Sequence, residues 1–254
     1  MLPVNAMPPD SPPLLSVIVV CRNPGPGLAA ALQSIWAQHG PAPELVVVDG
    51  ASTDGTAEWL ARHRAEISTL IAEPDRGVYD AMNKGVAAAR GEWVLFLGAD
   101  DALASDLVLA ETAMTLAQTN GGVVVGEVAY TDGRVYRLAA APNPRARNFV
   151  HHQGAFYRRS LFAEHGPFDT SLAVMGDYDF NLRLWQSHVR FKACALAVAR
   201  CRPGGISDRG RWQGYGEEIR VRHRHFAWWQ CWGWDTASVL RYLRKRIVRS
   251  FVRT

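Results

Sequence analysis

The chain has 254 residues, 48% of them hydrophobic, enough to bury the core of one large domain or of one domain with an extension. Its formal charge of +4 is unevenly placed: residues 241–254 carry six of the 28 Arg and Lys and no acid, leaving 22 basic against 24 acidic residues in the rest. A near-neutral body argues against a nucleic-acid-binding protein, and the lack of any run of 18 apolar residues excludes a spanning helix.

Residues 1–13 contain five prolines and no charged segment leading into an apolar one. They are expected to be a disordered leader, not a signal peptide. Cys21, Cys194, Cys201 and Cys231 are scattered, with no CxxC pair, and read as reduced thiols of a cytosolic protein.

Residues 15–20 form a near-continuous apolar run, the pattern of a strand covered on both faces. Leu28, Leu32, Ile35 and Trp36 follow at helical spacing. A second strand spans 45–48, a short helix 56–64, a third strand 68–72, a helix 79–90 and a fourth strand 93–97. Strands alternating with helices specify a doubly wound α/β sheet. Runs at 123–130 and 134–138 then flank Thr131-Asp132-Gly133, a hairpin turn, so the sheet is expected to become mixed.

Two strands end in acids. The second runs into Asp49, followed by Gly50-Ala51-Ser52-Thr53-Asp54-Gly55-Thr56, and the fourth into Gly98-Ala99-Asp100-Asp101. Both place carboxylates at the carboxyl edge of the parallel strands, where open α/β sheets bind ligands. Acids cannot bind phosphate directly, but they can hold a divalent cation that does. Between the two strands lie Arg76, Asn83 and Lys84. A third acidic group, Asp177 and Asp179, precedes Phe180 and Leu184, which share a helical face. Asp177 therefore sits at or just before a helix start, where an N-cap is the plain alternative.

This order of elements and acids resembles the family 2 inverting glycosyltransferases, from about residue 16 to about residue 207. The resemblance implies a GT-A fold: a doubly wound mixed sheet in a domain spanning 14–212, with a nucleotide-binding half at 14–101 and an acceptor-side half at 102–212. It also implies a nucleotide-sugar donor, a saccharide or lipid-linked acceptor, and Mg2+ or Mn2+. Asp177 holds the catalytic-base position, although Gly176 replaces the first acid of the usual pair. Asp100 holds the metal position, although Gly98 replaces the first acid of the Asp-x-Asp motif. With one protein carboxylate, the ion would lean on donor phosphates and water. Asp49, Arg76, Asn83, Lys84 and Ala99 fall at donor-binding positions, with a solvated face the plainer reading of Lys84. His152 and Gln153 fall on the acceptor side.

Asp101 is expected to cap a helix beginning near Ala104, and Asp54 to start the helix at 56. His151 and His152, if on a strand, point to opposite faces and cannot easily share an ion. Ser207, Arg209, Arg211 and Trp212, after Gly204-Gly205, form either a basic lid over the diphosphate or an ordinary turn.

Residues 213–254 are expected to be a helical extension, with four tryptophans at 228, 229, 232 and 234. Leu240, Leu243, Ile247 and Phe251 recur at helical spacing among the arginines. Tryptophans and a basic amphipathic helix favour an anionic membrane surface, which would make the protein peripheral on the inner face of the cell membrane. The alternative is a helix packed on the body.

Two other functions compete. Gly25-Pro26-Gly27-Leu28-Ala29-Ala30 matches a dinucleotide fingerprint, with Asp49 where a ribose-binding acid belongs. Yet four residues separate strand from glycine, Pro26 lacks an N–H, and Asp100 and Asp177 are left without a role. A catalytically inactive GT-A scaffold is the second rival, resting on the acids missing at Gly98 and Gly176. A haloacid-dehalogenase-like phosphatase fails because Ser52 stands at its nucleophile position.

Overall fold

The computed structural model describes residues 12–205 and 211–252, with side chains to residue 248. Strands β1 (Leu15–Cys21), β2 (Glu44–Asp49), β3 (Thr69–Ala72) and β4 (Trp93–Gly98) are parallel, in the order β3-β2-β1-β4. Helices α1 (Gly27–Trp36), α2 (Thr56–Arg62) and α3 (Val78–Ala88) connect them. The continuous apolar runs are explained by burial on both faces. Val17, Val19, Leu95 and Leu97 face one core, while Ile18, Val46, Val48 and Phe96 face another. Gly85 lets α3 approach β1 closely, since a Cβ there would collide with the Ile18 side chain.

Beyond β4 the sheet becomes mixed. Strands β5 (Ala102–Leu103), β6 (Val123–Tyr130), β7 (Val135–Tyr136), β8 (Ala155–Arg158) and β9 (Phe191–Cys201) continue it in the order β4-β8-β6-β9-β5, with β7 hairpinned onto β6. β8 is antiparallel to both β4 and β6, whereas β6 and β9 are parallel. The turn at 131–133 forms as expected, with Gly133 at φ +87°.

Helices α4 (Val108–Ala117), α5 (Ser160–Glu164) and α6 (Gly176–Gln186) complete the body, and α7 (Trp212–His225) and α8 (Trp228–Val252) form the C-terminal extension. α7 packs on α6, and α8 packs on α7. Arg222 of α7 is fully buried. It pairs with Glu218 and with Asp235 of α8, bonds Ser238, and donates to the carbonyls of Arg145 and Ala146. An unpaired guanidinium there would be strongly destabilising, so this network fixes both helices to the 145–146 segment. The leader expected at 1–13 lies outside the described residues except for its end, where the Pro13 carbonyl accepts from the Glu92 N–H.

Candidate active site

A cleft of about 640 Å³ opens at the carboxyl edge of β1 and β4. Its wall includes Cys21 to Pro24, Gly98 to Asp101, Asn148, His151 to Gln153, Asp177, and Arg202 with Gly204 and Gly205. Ala99, Asp100, His152, Gln153 and Asp177, separated by up to 78 positions in sequence, thus meet in one cavity.

Asp100 is exposed to the cleft, and its carboxylate has no protein hydrogen bond among the described residues. Asp101 turns the other way. Its carboxylate is buried, accepting from Gln153 Nε2 at 3.1 Å and from the Arg202 N–H at 3.2 Å. Burial and the neighbouring Asp100 charge push its carboxyl above the usual range, against the pull of those donors. The expected cap at Asp101 is therefore corrected. A two-residue strand follows it, and the next helix starts only at Val108. A Cβ at Gly98 would run into the Asp101 carboxylate. Asp101 fills the space that an acid at residue 98 would need.

Asp177 lies in the first turn of α6, whose N-cap is Met175, so the capping alternative is also corrected. Its Oδ1 lies 3.1 Å from the Tyr79 hydroxyl and accepts from the Tyr178 N–H at 2.8 Å. Its Oδ2 contacts Asn148 Nδ2 at 3.0 Å and His152 Nδ1 at 3.1 Å. Burial opposes ionisation, but His152, Tyr79 and the Tyr178 N–H together hold the carboxyl below its usual range. Asn148 is itself oriented, because its Oδ1 accepts from Asn181 Nδ2 and the Val150 N–H.

The two histidines do not sit on a strand. They open a 3-10 turn and both line the cleft, with ring centroids 5.9 Å apart. His151 bonds the Tyr130 hydroxyl through Nε2, and burial, followed by the proximity of His152, lowers its pKa to about 4.

The remaining donor-side residues lie off the cleft wall. Asp49 is almost wholly buried and accepts from the N–H and hydroxyl of Ser52. Both amide atoms of Asn83 clamp the Phe168 backbone. Lys84 pairs with Glu73 and donates to the Pro74 carbonyl, and Arg76 pairs with Asp80. Asp54 accepts from Thr56, as expected at the start of α2, and also from the Gly25 N–H. That last bond consumes a donor that a dinucleotide-binding loop would offer to phosphate. Antiparallel β8 next to β4 also departs from a dinucleotide fold.

Ser207 and Arg209 of the expected lid lie outside the described residues. Arg211 precedes α7, and Trp212 packs edge-on against Tyr242 of α8, 5.1 Å between centroids. Sequence reasoning missed Tyr79, Asn148 and Glu217. Glu217, buried on α7, accepts from the N–H groups of Ala173, Val174 and Met175 and so holds the segment leading into Asp177. Nothing local in sequence marks these three, since each acts across a long separation.

Among the described residues, no group of three or more His, Cys, Asp or Glu side chains is placed to hold a metal ion. Asp100 alone fits as a single-carboxylate anchor for a hard divalent cation that would take its other ligands from phosphate and water.

The family model for glycosyl transferase family 2 matches residues 16–196. The chain belongs to glycosyl transferase family 2. Among the relatives of this family 2 glycosyltransferase is a PGL/p-HBAD biosynthesis glycosyltransferase of Mycobacterium tuberculosis, 37% identical over 184 residues, covering 69% of this chain and 71% of that protein. Another is the succinoglycan biosynthesis protein ExoO of Rhizobium meliloti, 30% identical over 66% of this chain and 55% of ExoO. Similar solved structures have GT-A folds. S. aureus TarS 1-349 in complex with UDP-GlcNAc has a TM-score of 0.67 at 20% identity, covering 83% of this chain and 66% of that one. The chain spans 64% of the same TarS fragment without that ligand. Mannosyltransferase PcManGT from Pyrobaculum calidifontis, with GDP-Man and Mn2+, has a TM-score of 0.62 at 22% identity, covering 93% and 76%.

Proposed function

We propose that this family 2 glycosyltransferase moves a sugar from a nucleotide-diphosphate donor to an acceptor hydroxyl with inversion at the anomeric carbon. The observation that carries this reading is the presence of Asp100 and Asp177 in one cleft at the sheet's carboxyl edge. The division of labour is that Asp100 faces the donor diphosphate while the acceptor hydroxyl approaches from the Asp177 side. Mg2+ or Mn2+ on Asp100 would neutralise charge developing on the departing diphosphate. Asp177 supplies the negative charge toward which the acceptor proton moves. The backbone at Ala99 and the Cys21 to Pro24 loop line the donor side, and His152 and Gln153 the acceptor side.

The relatives named for PGL/p-HBAD and succinoglycan biosynthesis support a role in cell-surface glycolipid or polysaccharide assembly. The acceptor is accordingly a saccharide or a lipid-linked molecule, reached at the cytoplasmic face of a membrane. Among the described residues no helix is long and apolar enough to cross one. The face of α8 opposite Cys231, Asp235 and Ser238 carries Trp229, Trp232, Leu240, Leu243 and Ile247, each 44–68% exposed. Arg244 and Arg246 flank this stripe, which suits an anionic interface.

The test is a thermal-shift screen of UDP, GDP and their sugar conjugates with Mg2+ or Mn2+. A ligand that binds only the native state raises its melting temperature. One nucleotide series stabilising the protein in a metal-dependent way is expected. Stabilisation by NAD alone would overturn the reading.

A further inference from the structure

Resting on that reading, we infer that helix α7 is part of the active site, with Glu217 and Arg222 as positioning residues that set the Asp177 carboxylate and its partner Asn148 for proton transfer.

Asp177 is delivered by the turn at 173–175, and the three N–H groups of that turn converge on one side chain. Glu217 Oε1 accepts from Ala173 at 3.1 Å, and Oε2 from Val174 at 2.8 Å and Met175 at 3.1 Å. Among the described residues these amides have no other acceptor. Glu217 is almost wholly buried, where a carboxylate without such donors would be costly. Successive amides turned toward one anion form a concavity built around it. The Val174 peptide is also held from its other end, its carbonyl accepting from the Tyr79 hydroxyl at 2.7 Å. Ala173, Val174 and Met175 themselves line the cleft, so Glu217 stands behind the wall next to Asp177.

Further along α7, Arg222 grips the second segment. It donates to the Arg145 and Ala146 carbonyls, just before Asn148, whose Nδ2 reaches Asp177 Oδ2 at 3.0 Å. Tyr178 joins the two segments, its hydroxyl donating to the Pro144 carbonyl at 2.6 Å. α7 therefore holds both stretches that meet at the Asp177 carboxylate. It lies wholly outside residues 16–196, the span shared with the family model. A misplacement of about 1 Å far from the chemistry can cost about 10²-fold in rate, so a working base needs this helix.

The test is a double-mutant cycle on nucleotide release from UDP-GlcNAc and GDP-mannose with Mn2+, water serving as acceptor. Glu217→Gln keeps the shape but turns a donor toward amides that need an acceptor. Its kcat should fall about 10²-fold, with KM and nucleotide thermal shifts nearly unchanged. In an Asp177→Asn background the same change should cost less than about twofold, because a residue acting through Asp177 has nothing left to position. Equal losses in both backgrounds would make Glu217 merely structural and overturn the inference alone, as would an unchanged kcat in Glu217→Gln. Glu217→Asp keeps the charge and should recover part of the rate. It carries the same cycle if the Gln variant lacks a cooperative unfolding transition. Placement is read without turnover from 15N-histidine-labelled protein. Glu217→Gln should shift the ring signals of His152, which lies 3.1 Å from Asp177, and spare those of His63, packed against Trp36 and Trp59. Unmoved His152 signals would overturn the inference. A wild-type protein that releases neither nucleotide counts against glycosyl transfer itself and takes the inference with it.

Discussion

The ring of Tyr79 occupies the space that any side chain at Gly176 would need, with Cδ2 and Cε2 2.8 Å from where a Cβ would stand. The same residue puts its hydroxyl 2.7 Å from the Val174 carbonyl and 3.1 Å from Asp177. The acid missing from position 176 is thus replaced by an aromatic ring that supports the remaining acid from the side. Gly98 and Asp101 stand in the same relation at the other end of the cleft.

Restoring side-chain volume at 176 should therefore damage the protein. Gly176→Ala is expected to cost about 1–3 kcal/mol, the usual range for overpacking. Combining it with Tyr79→Ala should cost less than the sum of the two single changes, because the collision disappears. Urea unfolding of the four proteins gives the coupling energy. Strict additivity would show that ring and glycine do not share that space.

Asp177→Asn should suppress transfer by about 10²–10⁴-fold, since an amide cannot accept the acceptor proton. Nucleotide binding, followed by thermal shift, should be nearly intact. Turnover at the wild-type rate would reduce Asp177 to an architectural residue.

Asp100→Ala should remove metal-dependent stabilisation by nucleotides. Asp101→Ala should leave that dependence in place and lower stability by about 1–3 kcal/mol, because Gln153 and the Arg202 N–H lose their acceptor in a buried setting. Calorimetry with and without Mn2+ separates the two effects, and equal loss of metal dependence in both would refute the assignment.

Stability should fall with acid partly through Glu44. Burial opposes its ionisation, but the Ser16 hydroxyl, the Arg90 N–H and the Arg90 guanidinium outweigh that and hold its carboxyl below the usual range. A depressed carboxyl contributes stability above its unfolded value of about 4.3 and loses it as pH falls through the folded value. Glu44→Gln should therefore be less stable than wild type at pH 7, with the gap closing below about pH 4. A gap independent of pH would mean that the charge plays no part.

The tail should bind vesicles containing anionic lipid. Basic residues near such a surface contribute about 1 kcal/mol each, screened over about 10 Å at 0.1 M salt. Trp229, Trp232 and Leu240 should leave a salt-resistant remainder. Truncation after Val239 keeps Asp235 and Ser238 on Arg222, so it should spare nucleotide binding while weakening vesicle sedimentation. Unchanged sedimentation would place membrane contact elsewhere.

The sequence alone determined the parallel half of the sheet and the acids at its edge. Continuous apolar runs such as 15–20 and 93–97 have one stable use, burial under helices on both faces, and strand polarity then carries Asp100 to the ligand-binding edge. It also marked Asp177, because an acid before a helical apolar face is a local pattern. Only the tertiary structure decided what each polar group does. Asp101 looks like a cap in sequence, but its partners are Gln153 and Arg202, 52 and 101 positions away. Asn83 looks like a donor contact, but its amide closes on Phe168. Asp177 is held by Tyr79, Asn148 and His152 at separations of 98, 29 and 25. Apolar periodicity is written in neighbouring residues, whereas a buried hydrogen bond takes its partner from whichever strand or helix packing brings within 3 Å.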